Sequence, residues 1–149
     1  MFIYQNGAAY IHPKTIFSSG KDDVTMFINF TNHSSALWSD AQRTAAEKYG
    51  EIRDIPFPAV DPALDSDDIS SIAADYAEMI SSYSPEAVLV QGEMSLCYAV
   101  ISALLDRKIK VVCATTERIS QTHIGPNNET VRTSEFHFVR FRKYARKIV

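Results

Sequence analysis

Between Val24 and Thr116 four short apolar runs alternate with three segments of helical period, which restricts the chain to an α/β domain on a mostly parallel sheet. The runs are "VTMFINF", "EIRDIPF", "EAVLVQG" and "IKVVCATT", and prolines at 56, 58 and 62 close the second. In the first helical segment, "SDAQRTAAEKYG", Ser39 and Gln42 stand at capping-box spacing, and Gly50 falls where a left-handed residue ends a helix. In the second, Ile69, Ile72, Ala73, Tyr76, Met79, Ile80 and Tyr83 follow the i, i+3, i+4, i+7 rule. Acids crowd its first turn, where the helix dipole favours them, and this reads as capping rather than as a metal site. The third segment, "EMSLCYAVISALLDRK", is apolar nearly all round and must be covered on more than one side, which predicts a homodimer through it.

Two regions stand outside the alternation. "FIYQNGAAYI" has an Asn-Gly pair between apolar runs, a hairpin signal. "SEFHFVRFRKY" is strand-like and follows the turn-rich "GPNNET". The expected organisation is therefore a single domain over 1–149, with an N-terminal hairpin extension (1–23), a parallel α/β core (24–118) and a C-terminal antiparallel strand region (119–149). A chain of 149 residues with 46% hydrophobic and 22% charged residues can bury a core of its own. It has no apolar run of the roughly 20 residues that a membrane helix needs, and its N-terminus lacks the plan of a secretory signal. A cytoplasmic protein with no membrane partner is expected.

Cys97 and Cys113 lie inside apolar runs with no His or Cys at metal-ligand spacing, so they read as core thiols, and neither a metal nor a cofactor is expected. Charge is uneven along the chain. Residues 1–131 carry 9 basic against 17 acidic side chains, net −8, whereas residues 132–149 carry 6 against 1, net +5. That basic end suits either a polyanion or the acidic body of the chain or of a partner subunit; the second reading is preferred, and no duplex nucleic acid is expected.

For four strands joined by helices the commonest topology puts strands two and three on either side of strand one. Ligands in such sheets bind at the carboxyl ends of the strands beside that reversal. The loops there are "TNHSS" after the first strand and "QGEMS" after the third, with "TTER" after the fourth close by. All are rich in hydrogen-bonding groups at or near helix starts, where an anion finds oriented donors. These three loops are thus expected to cradle an anion, and Gly92 would allow close backbone approach there. No GxGxxG or GxxxxGK[ST] is present, which disfavours a dinucleotide enzyme or a P-loop ATPase.

His33, Glu93 and Arg118 are the candidate catalytic residues, each with a plainer reading. His33 suits proton transfer, phosphate donation or a bond to a loop carbonyl. Glu93 at a helix start can simply favour the dipole, and Arg118 suits a phosphate clamp or a surface ion pair. Trp38 suits stacking on a base or packing, and His12, His123 and His137 have no local constellation.

At "INFTNHSSALWS", "IPFPAVDP", "AVLVQGEMSL" and "ATTER" the chain resembles the small stand-alone CRISPR-associated proteins related to CARF (CRISPR-associated Rossmann-fold) domains. The resemblance spans roughly Val24 to Tyr144 and implies a Rossmann-like three-layer sandwich, a dimer, and a cyclic oligoadenylate as ligand, with Thr31, Asn32, Ser34, Ser35, Gln91, Gly92, Met94, Ser95, Thr115 and Thr116 as its binding residues beside His33, Glu93 and Arg118. It further implies ring-nuclease activity, in which a ribose 2′-hydroxyl attacks the adjoining phosphate without a metal, His33 moves protons, and Arg118 and helix-start amides stabilise charge. Two alternatives stay open: a sensor that binds without cleaving, and an enzyme acting on a mononucleotide or nucleoside with Glu93 as nucleophile or acid.

Overall fold

β1 (Met26–Thr31) forms the middle of the architecture, because both faces of its apolar run are covered and the next two strands add on either side of it. The computed structural model describes residues 24–146; the hairpin expected over 1–23 lies outside them. After β1 come α1 (Asp40–Glu47), β2 (Glu51–Pro56), α2 (Ser66–Ser82), β3 (Ala87–Gln91), α3 (Met94–Asp106), β4 (Val111–Ile124) and β5 (Thr130–Lys143). They give an α/β fold with one sheet of order β2-β1-β3-β4-β5, in which only β5 is antiparallel to its neighbour.

Strand alternation divides the core. Ile28 and Phe30 of β1, with Val88 and Val90 of β3, pack with Ile69, Ala73, Ala77 and Ile80 of α2 and with Leu96, Val100 and Leu104 of α3. Phe27 and Leu89, one residue out of step, join Val112 and Ala46 of α1, with Trp38, Tyr49 and Phe141 around them. The helix caps follow the sequence. Ser39 accepts from the Gln42 amide, and Asp65 and Asp68 form a reciprocal capping box. Gly50 has a φ of +137°, and a Cβ there would strike the backbone of Thr25. The apolar girth of α3 meets the core through Leu96, Val100 and Leu104 and meets α2 beside it, while Met94 (84%) and Tyr98 (76%) remain exposed.

β4 departs from the expectation. It runs on through "TTER" to Ile124 with no break, so Thr115, Thr116 and Arg118 belong to a strand and not to a loop. It pairs with β3 only at Val111 and Val112; beyond that, among the described residues, it pairs with β5 alone, through a bulge at Thr115/Thr116. The apolar run ended at Ala114, but the mostly polar stretch that follows includes Thr115, Thr116, Ile119 and Thr122, β-branched side chains suited to a ribbon with two wet faces.

Candidate functional site

The divergence of β4 from β3 opens a cleft at the carboxyl ends of the central strands. Thr31 and Gln91 end β1 and β3 side by side. Past Val112 the Ala114 amide has left the β3 ladder, and the Gln91 side chain accepts from it at 3.3 Å. Between the loop after β1 and the β4–β5 arm lies an open pocket of ≈ 840 Å³, within the range of small-molecule sites. Asn32, His33 and Trp38 line one side, Gln91 and Gly92 the floor, and Thr116, Phe136 and Phe138 the arm. Trp38 also packs edge-on against Phe27, at 6.3 Å between ring centroids, so its ring is shared between core and cleft.

The polar loop 31–35 is largely bonded to itself and to β2. Asn29, 1% exposed in the middle of an apolar strand, stands directly across from Asp54 in the β1–β2 register. Its Nδ2 donates to Asp54 Oδ1 at 2.9 Å and to the His33 carbonyl at 2.8 Å. Thr31 Oγ1 accepts from the His33 amide and lies within bonding distance of Asn29 Oδ1 and the His33 carbonyl. The other carboxylate oxygen of Asp54 accepts from Ser34 Oγ and the Ser35 amide, both at 3.0 Å. Burial raises the Asp54 pKa, but the hydrogen bonds from Asn29, Ser35 and Ser34 outweigh it and hold the carboxyl below its usual range. From α1, Arg43 donates to the Ser35 carbonyl at 2.7 Å. The His33 imidazole has no hydrogen-bond partner among the described residues and faces open space.

A second pocket of ≈ 370 Å³ adjoins the first. Asn29, Ser34, Asp54, Pro56 and Phe57 line it, and Thr31, Asn32 and His33 line both pockets. Gly92 answers a packing need here: a Cβ on it would lie 2.6 Å from the ring of Phe57, which stacks in turn on Phe30.

Other predicted residues fall differently. Glu93 is the N-cap of α3, and its carboxylate accepts from Ser95 Oγ at 2.7 Å and from the Leu96 and Ser95 amides at 2.9 and 3.0 Å. Those bonds, the Ser95 hydroxyl first, lower its pKa. The amides expected to receive a ligand anion thus already hold a carboxylate. Met94 and Ser95 follow it on the exposed first turn and line neither pocket. Thr115 donates to the Arg140 carbonyl at 2.9 Å. Arg118 donates to Ser134 at 3.1 Å, and its guanidinium lies 5.9 Å from the centroid of Phe136, one residue behind the cleft wall. His137 touches the cleft, but strand alternation sets it opposite Phe136 and Phe138, with Glu135 bonded at 3.1 Å. Burial and the nearby Glu93 push the Cys97 thiol up to about 11, against a Gly92 backbone bond that lowers it, so it stays protonated at neutral pH. Among the described residues no group of three or more His, Cys, Asp or Glu is placed to hold a metal ion, and no helix is long and apolar enough to cross a membrane.

Fold and cleft together define an α/β domain with its candidate site at the switch point of a mostly parallel sheet, compatible with a Rossmann-like fold. The chain belongs to the MJ1673 family, described as "Uncharacterized protein MJ1673 family", whose model matches residues 25–142. No curated protein and no solved structure gives a significant match.

Proposed function

We propose that this protein binds a cyclic oligoadenylate in the cleft over β1 and β3 and cleaves it without a metal ion, as a ring nuclease of CRISPR antiviral signalling. One observation carries the reading: His33, whose imidazole has no hydrogen-bond partner among the described residues, stands at the switch point between two adjoining pockets whose walls combine aromatic rings with hydrogen-bonding groups that are uncharged apart from Asp54 in the smaller one. Trp38, Phe136 and Phe138 suit base stacking. In the cleavage step the 2′-oxygen bonds to phosphorus, the bond from phosphorus to the 5′-oxygen breaks, and the 2′-hydroxyl proton ends on the leaving oxygen. His33 serves that transfer, and the product carries a 2′,3′-cyclic phosphate.

Arg118, whose guanidinium lies over cleft-lining Phe136, is the candidate to clamp a phosphate. The two core clusters are read as the faces of a three-layer sandwich, and exposed Met94 and Tyr98 on α3 as part of a two-fold dimer contact. A second reading, a sensor that binds the ring and leaves it intact, is favoured by a different observation. Among the described residues neither pocket is lined by Lys or Arg, and Glu93 occupies the start of α3. Calorimetry with rings of four and six adenylates, with linear oligomers as controls, tests both readings. Binding followed by a chelator-insensitive cyclic phosphate product is the expected result. Binding with an intact ring after hours supports the sensor, and no heat with any ring overturns both.

A further inference from the structure

We infer that the smaller pocket reads a nucleobase bearing an exocyclic amine, so that two adjoining nucleotides of the ligand lie on either side of His33. This rests on the nucleotide reading above and adds to it a subsite and a reader. The two pockets share Thr31, Asn32 and His33, so a ligand filling both must pass over that divide. A phosphodiester is the natural bridge between two nucleosides.

The hydrogen-bond inventory of the smaller pocket sets what enters it. Both Asn29 Nδ2 hydrogens are donated, one to Asp54 and one to the His33 carbonyl. The Ser34 hydroxyl donates to Asp54, and the Thr31 hydroxyl hydrogen is taken by Asn29 Oδ1 or the His33 carbonyl. Asn29, Thr31 and Ser34 have therefore spent their side-chain donors, and the donors that are left, on Asn32 and the His33 ring, stand at the divide shared with the larger pocket. Acceptor capacity remains on Asp54, because Oδ1 takes one hydrogen bond where a carboxylate oxygen accommodates two. An ionised carboxylate repels phosphate and attracts an N–H group, and the bonds that depress its pKa keep it ionised at neutral pH. Phe57, held against Phe30 and Gly92, supplies an aromatic wall. Acceptor plus aromatic wall suits the exocyclic amine of adenine, cytosine or guanine, whereas uracil and hypoxanthine have a carbonyl in place of the adenine or cytosine amine and reach the carboxylate only through a ring N–H.

The test needs no variant at first. Wild-type protein is titrated by calorimetry with the linear dinucleotide of two adenosines, and with two analogues in which one or the other base is purine lacking the amine. Losing the amine at one of the two positions should weaken binding about tenfold or more, the effect of a lost bond to a charged group. Asp54→Asn, checked for folding by its thermal melt, should abolish that discrimination while retaining binding, a change in preference that loop support alone would not produce. Equal affinity for all three dinucleotides overturns the subsite and leaves the nucleotide reading standing. Discrimination that persists in Asp54→Asn overturns the role of Asp54 as reader. No binding of any dinucleotide by wild-type protein, with the adenylate rings also inert, removes the nucleotide reading and the subsite with it.

Discussion

Replacing Asn29 with Asp changes one NH2 group into an oxygen and tests the network that shapes the loop. The Asn29 amide nitrogen lies 2.9 Å from Asp54 Oδ1 and 2.8 Å from the His33 carbonyl, in a residue 1% exposed. Two unit charges at such a separation repel by about 6 kcal/mol at an effective dielectric constant of 20. Protonation is the cheaper escape. Keeping a carboxyl of ordinary pKa neutral at pH 7 costs about 4 kcal/mol, at about 1.4 kcal/mol per pH unit. The variant should therefore lose about 4 kcal/mol at pH 7, a large share of the roughly 5–15 kcal/mol that holds a domain together. The new carboxyl has a folded pKa raised above its unfolded value, so its penalty is absent below the unfolded pKa and grows as pH rises toward the folded one. Asp54 itself, with a lowered folded pKa, contributes stability that is present above its unfolded pKa and lost as pH falls through the folded one, so the comparison belongs between pH 5 and 7. Urea unfolding followed by circular dichroism should show the gap to wild type widening by about 1.4 kcal/mol per pH unit across that window. A gap that is the same at pH 5 and pH 7 would refute the placement of the Asn29 amide against Asp54.

His33→Ala should slow single-turnover cleavage of an adenylate ring roughly a hundredfold while leaving affinity within a few fold; a fall in affinity with the rate preserved would make His33 a ligand donor instead. Gly50→Ala should destabilise by about 3 kcal/mol or more in urea melts, since its φ of +137° disfavours a side chain and the added carbon meets the Thr25 backbone. Gly92→Ala must displace the Phe57 ring, at a cost of about 1–3 kcal/mol, and a melt unchanged from wild type would show that the ring moves freely. Tyr98→Lys on the exposed face of α3 should convert a dimer to a monomer by light scattering without lowering the melting temperature of the monomer; wild-type protein already monomeric near 16.7 kDa would remove the dimer.

The alternation of strands and helices was legible because each buried strand reads as an apolar run, and the placement of strands two and three on either side of strand one followed from short connections. The extent of β4 was not. Its arm has two wet faces, so Thr116–Ile124 carries no apolar run, and only its pairing with β5 makes it a strand. The loop after β1 was found from its polarity, but the expected use of that polarity changed: Ser34 and the Ser35 amide serve Asp54. Asn29 was the available clue, a lone amide inside "MFINF" where a buried polar group must have partners. Asp54 gave no sign, because its meaning depends on a register between strands 25 positions apart. The Phe136 and Phe138 wall was equally hidden, since it stands on β5, whose pairing with the polar extension of β4 brings it beside the cleft.

The bonds that tie Thr31 to Ser35 also decide when the loop loses its freedom. Fixing the backbone of one residue costs about 1–2 kcal/mol in conformational entropy, and a five-residue loop left loose would impose several times that on any ligand that had to still it. Here Asn29, Asp54 and Arg43 hold that loop from three different elements with bonds made within the protein itself. Its ordering is complete at folding, so contacts made in the cleft go toward affinity and specificity, without first being offset by the cost of ordering the loop.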